Sequence, residues 1–187
     1  MWNFKETGLR TIDDLYDFCQ NITYGWIDRV GQKHYEPNSS EEYFLQSPGE
    51  VLQNKIGICW DQTELQRAWF VAHGYDVKTY FLYYYINDNN CPSHSIMVFR
   101  DGNKYCWFEP MFQTTKLYAL YSGIHKYDTL EGLLERFYTR FMQHCREMRW
   151  LSGRFNFENV ELYEYNRPEY GISGVEFYDH CRTGRKI

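Results

Sequence analysis

Lys55-Ile56-Gly57-Ile58-Cys59-Trp60-Asp61-Gln62 is the stretch on which the reading of this chain turns. A glycine frees the backbone two residues ahead of a cysteine. After Cys59 the apolar residues Leu65, Trp69, Phe70 and Ala72 fall on one side of a helix. His73-Gly74 closes it, with glycine as the C-cap. Cys59 therefore stands at a helix N-terminus, where unpaired N–H groups and the helix dipole favour a thiolate and can receive a developing oxyanion. Taken alone, such a cysteine is more often a small core residue, so the flanking segments decide.

Upstream, Ser47-Pro48-Gly49-Glu50 is a helix start: a capping residue, a proline in the first turn, then an acid. A short helix is expected from there to about Lys55. Further upstream, residues 41–46 read as another short helix, 31–40 as a loop, and Thr11 as the cap of a helix with Asp13 and Asp14 in its first turn. Downstream the hydrophobic period changes. Residues 76–86 are rich in Val, Thr, Tyr and Phe and read as a strand. Residues 87–93 read as a loop, and 95–100 and 104–109 as two more strands joined by an Asp101-Gly102 hairpin. A long helix is expected over 129–147, a strand over 159–165 and a terminal helix over 174–181. Helices first, then a mostly antiparallel sheet, then a helix define an α+β fold.

The 187 residues fit one domain, 1–187, with its motif region at 47–110. The net charge of −5, with no basic stripe beyond residues 182–186, argues against nucleic acid as partner. No apolar run is long enough to span a membrane. The first ten residues lack the pattern of a secretory signal, so a cytoplasmic location is expected, with the six widely spaced cysteines reduced. The oligomeric state is left open. Aromatic residues make up 20% of the chain, which suits either core filling or an aromatic-walled groove.

Two residues beyond Cys59 carry chemistry. His94 opens a strand, and imidazole is the side chain best suited to take a thiol's proton near neutral pH and return it to a leaving group. Glu109 closes the next strand, just before Pro110. With Asp101-Gly102 as the hairpin loop, Arg100 faces Asn103 and His94 lies directly across from Glu109. The carboxylate would then hold one imidazole nitrogen and leave the other for the thiol. With Gly102-Asn103 as the loop, Glu109 would face Ile96 and meet His94 on the diagonal. A rival reading takes Cys91, His94 and Cys106 as zinc ligands, but a second pair with ligand spacing is missing, and no metal is assigned.

The order Gly-x-Cys at a helix start, His at the opening of a strand and an acid followed by Pro at the close of the next resembles the transglutaminase-like superfamily core. The resemblance covers residues 47–110. It implies a papain-like α+β arrangement whose Cys, His and acid form a thioester with an amide substrate. Cys59 would be the nucleophile, His94 the base and Glu109 the orienting acid. The family has Asp where this chain has Glu109, one methylene longer. Gln53 stands six residues before Cys59, the spacing at which papain-like proteases place an oxyanion glutamine. Trp60 and Trp107 are candidates for the walls of a substrate groove. The resemblance thus implies an acyl-transfer enzyme acting on a protein or peptide amide, hydrolytic or transglutaminase-type, with no cofactor. The alternative is a non-catalytic peptide-binding module that retains the fold.

Overall fold

In a computed structural model of the chain, the described residues are 4–35, 41–86, 91–110, 122–147 and 159–187. After a short 3-10 turn (Phe4–Glu6), helix α1 (Ile12–Gln20) starts at Thr11, whose hydroxyl accepts from the Asp14 N–H while Asp14 accepts from the Thr11 N–H. Two short strands, β1 (Trp26–Ile27) and β2 (Lys33–His34), pair antiparallel. Helix α2 (Pro48–Asn54) starts on a Ser47–Glu50 capping box and ends at Lys55, which adopts the left-handed conformation. Helix α3 (Cys59–Ala72) follows at once. The main sheet contains β3 (Val77–Tyr84), β4 (Ser93–Asp101), β5 (Lys104–Glu109) and β6 (Gly123–Tyr127). Helix α4 (Leu130–Glu147), strand β7 (Val160–Tyr165), helix α5 (Gly174–Arg182) and strand β8 (Arg185–Lys186) complete the described elements.

The six strands run in the order β6-β5-β4-β3-β7-β8, every neighbouring pair antiparallel. Alternation sends successive side chains to opposite faces. Met97, Phe99, Cys106 and Phe108 meet α1, α2 and α3 through Leu15, Cys19, Val51, Leu65, Trp69 and Phe70. On the same face Phe81, Tyr83, Tyr163 and Tyr165 pack with Trp60 and with Phe177 of α5. The other face presents Tyr80, Leu82, Ile96, Val98 and Trp107 to Leu133, Leu134, Phe137 and Phe141 of α4. The aromatic wealth of the sequence thus goes largely into three core clusters.

Two expectations about this architecture are corrected. Residues 41–46 do not form a helix. Tyr43 and Leu45 are both buried, a spacing of two rather than of a helical turn, and Tyr43 and Phe44 make bridges to Asp28 and Ser173. The hairpin between β4 and β5 turns on Gly102-Asn103, with Asp101 paired to Lys104 and Met97 to Phe108. Gly102 takes a φ of +57°, the positive value that the first central position of a two-residue hairpin loop requires in the form that places glycine there. The strand β6, paired along the outer side of β5, was not anticipated. The loops expected over 31–40 and 87–93 lie partly outside the described residues; within them Lys33–His34 instead forms β2, paired with β1, and Ser93 already belongs to β4.

Candidate active site

The first turn of α3 is built around a buried carboxylate. Asp61, fully inaccessible, accepts from the Ile58 N–H at 2.9 Å on one oxygen. On the other it accepts from the Tyr43 hydroxyl at 2.8 Å and the Gln46 N–H at 2.9 Å. Gly57 gives it room, because a Cβ there would stand 3.0 Å from the Asp61 Cβ and one of the two would have to shift by a few tenths of an ångström. Burial pushes the Asp61 carboxyl up to about 7, against the pull of its hydrogen bonds from Gln46, Tyr43 and Ile58. The Gln62 amide donates to the Gly57 carbonyl at 3.0 Å. The glycine ahead of the cysteine is therefore the space that a helix-capping aspartate occupies.

This turn sets Cys59 at the end of the sheet where β4 begins. Thr63, one turn further along α3, donates to the Ser95 carbonyl at 3.1 Å. His94, the second residue of β4, lies close enough to the Cys59 sulfur for the thiol to favour its charged form. His94 Nε2 also lies 3.2 Å from Glu109 Oε2, which leaves Nδ1 as the nitrogen for the sulfur. Burial works against charge on the imidazole, but the Glu109 carboxylate and the hydrogen bonds to Cys59 and Glu109 outweigh it, and His94 rises to about 10. The three residues expected to act together are brought together.

They meet by the diagonal. Continuing the ladder from Met97 and Phe108 places Glu109 across from Ile96, not His94. The carboxylate nonetheless reaches the imidazole, and the same Oε2 accepts from Trp107 Nε1 at 2.9 Å. Trp107 is buried, packed edge-on against Phe137 at 5.5 Å and near His125 across the β5–β6 ladder. His144 of α4 lies within electrostatic reach of His94; burial, with that neighbouring charge, lowers it to about 4.

Other expected residues are placed differently. Gln53 is exposed on α2 and is not gathered with Cys59: Pro48 and Val51 take the buried side of that helix, and a residue two beyond Val51 points away from it. Trp60 is a core residue rather than a groove wall, stacked on Phe177 at 4.7 Å and edge-on to Tyr43 at 5.3 Å. Trp107 is likewise buried. The zinc reading fails on the alternation of β4 and β5, which sends Cys106 to the α3 face and His94 to the α4 face. Among the described residues no group of three potential ligands is assembled. Sequence reading missed Asp61 and Tyr43. The signal available for Asp61 was an acid at the third position of a helix whose start was already marked by Gly57.

The six cysteines are free thiols. Burial pushes Cys19, Cys106 and Cys181 upward and Cys145 to about 12. No described helix is long and apolar enough to cross a membrane. No protein-family model matches the chain, and no curated protein matches it.

Proposed function

We propose that this protein is a cysteine-nucleophile acyl-transfer enzyme with a papain-like, transglutaminase-like core, acting on a carboxamide or peptide bond. One observation carries the reading: a single imidazole, His94, is held by the Glu109 carboxylate at 3.2 Å and stands close enough to the Cys59 sulfur for the thiol to raise it. As the sulfur attacks, its proton passes to His94, the base beside it. The sulfur attacks the amide carbonyl carbon and forms a C–S bond. The developing oxyanion is met by N–H groups of the first turn of α3, which have no partner within the helix. The tetrahedral carbon expels the amine, which takes its proton from His94, and a thioester remains. His94, now neutral, takes a proton from water or a second amine as that group attacks the thioester and releases the sulfur. Glu109 holds the ring and offsets the charge it carries between steps.

The test combines labelling with trapping. Iodoacetamide near pH 7, in a Cys91→Ser background, should label Cys59 ahead of the four cysteines that burial holds up, and His94→Ala should slow that labelling. With a peptide and glutamine-amide library, hydroxylamine should capture a hydroxamate that Cys59→Ala does not form. Labelling of Cys59 at the same rate with and without His94 would remove the catalytic reading. A chain that binds peptides but never yields hydroxamate would be the non-catalytic module instead.

A further inference from the structure

We propose that Trp107 is the positioning residue that holds Glu109 against His94, and that glutamate, not aspartate, is the acid this sheet register requires. This rests on the acyl-transfer reading of the site. Residues directly across an antiparallel ladder stand about 4.5–5.5 Å apart, and diagonal neighbours about 7–8 Å. An aspartate directly opposite a histidine bridges the shorter gap. Here the Gly102-Asn103 turn shifts β5 so that Ile96 occupies that place, and His94 lies one diagonal step away. The added methylene of Glu109 covers the difference. At 3.2 Å the His94–Glu109 contact already sits at the long end of hydrogen bonding, so withdrawing the carboxylate by about 1.5 Å, one C–C bond, breaks it.

A longer side chain has one more torsion to fix, and Trp107 supplies the restraint. Its indole N–H donates to the same oxygen that meets His94. The indole cannot follow if the carboxylate swings away, because it is 3% exposed and wedged against Phe137 and His125. Trp107 and Glu109 lie two apart on β5 and so share a face. Two donors from different strands converge on one oxygen and leave the glutamate a single productive orientation. The tryptophan therefore acts on the reaction only through the acid, and the acid only through the histidine. Cys59, Glu109 and His144 are titratable groups that bear on His94, and of these three contacts the one with Glu109 is the one Trp107 touches.

The experiment compares Glu109→Asp, Glu109→Gln, Trp107→Phe and His94→Ala in the full chain. His94 ring titration is followed by NMR, and Cys59 alkylation by iodoacetamide across pH. Glu109→Asp should behave as Glu109→Gln does, with the His94 titration moved down by about one pH unit or more, since an adjacent carboxylate shifts a base by that order. Trp107→Phe should move the same titration in the same direction by a smaller step. If the phenylalanine variant fails to fold, a benzothiophene analogue of tryptophan at position 107 removes only the N–H. A Glu109→Asp protein that titrates like wild type overturns the length requirement. An unchanged titration on loss of the indole N–H overturns the role of Trp107. Should His94→Ala leave Cys59 alkylation untouched, the acyl-transfer reading falls by itself, while the His94 titrations still decide the positioning.

Discussion

Replacing Asp61 by asparagine should change how the stability of the protein depends on pH, and the size of the change follows from its surroundings. The native carboxyl titrates near 7, pushed up by burial, whereas the unfolded value is 3.8. Between those values the native state binds a proton that the unfolded state has lost. The stability that Asp61 contributes is thus fully present below about pH 4 and is lost as pH rises through 7. At about 1.4 kcal/mol per pH unit, the three-unit window amounts to roughly 4 kcal/mol at most. Asparagine cannot titrate. Its carbonyl can still accept from Tyr43 and Gln46, but its NH₂ faces the Ile58 N–H, which loses its acceptor at a cost of about 1–3 kcal/mol. At pH 4 the variant should therefore be less stable by that amount, and the deficit should shrink, then reverse, toward pH 8. His144, lowered to about 4, gives an opposite slope that is lost as pH falls, but it is present in both proteins and cancels in the difference. Urea titrations of both proteins at half-unit pH steps measure this directly. Stability curves that run parallel from pH 4 to 7 would refute the claim that Asp61 is a buried, raised carboxyl.

Three further outcomes follow from individual contacts. Gly57→Ala sets a Cβ 3.0 Å from the Asp61 Cβ, so it should destabilise the fold by about 1–3 kcal/mol in urea and slow Cys59 alkylation in parallel. Trp69→Phe removes the indole donor to the Leu9 carbonyl at 2.8 Å; about 0.5–1.5 kcal/mol should be lost, with faster amide exchange ahead of α1. Lys104→Ala deletes an exposed pair with Asp128, and its melting curve should match wild type to within about 0.5 kcal/mol.

Much of this fold was legible because its strongest local signals agree with its tertiary contacts. The capping boxes at Thr11 and Ser47, the helical stripe of Leu65, Trp69 and Phe70, and the β-rich run over 76–86 each specify one structure by short-range physics. What escaped depends on distant partners. Strand β6, Gly123–Tyr127, is five residues with weak alternation, and its conformation is set by pairing with β5. Residues 43–45 are three apolar side chains in a row, a run that helix and strand both accommodate until Asp28 and Ser173 select the extended form. The hairpin was ambiguous for a sharper reason. Asp101-Gly102-Asn103 contains two permitted two-residue turns, one with glycine second and one with glycine first. They differ by one residue in where β5 begins, and nothing local chooses between them. Burial does not choose either, because Trp107 faces Val98 in the register observed and Ile96 in the other, and both belong to the α4 face.

On the acyl-transfer reading, two carboxylates share the work that a sequence motif gives to one. Asp61 meets a hydroxyl and two backbone N–H groups, all neutral donors, and its bonds run to Tyr43, Gln46 and Ile58. Each of those ties the mouth of α3 to the chain before it, so Asp61 fixes where the sulfur stands. Glu109 meets two ring N–H donors, one of them on the base. It fixes how the imidazole is turned and stands where positive charge gathers on His94. The two sets of hydrogen bonds described have no residue in common, and they meet where Cys59 faces His94. A site assembled this way can tolerate the longer acid. The distance from helix mouth to base is set by Asp61 and the α3–β4 packing, and the distance from base to acid by the β4–β5 ladder. A register shift in the second is absorbed by one methylene without moving the first.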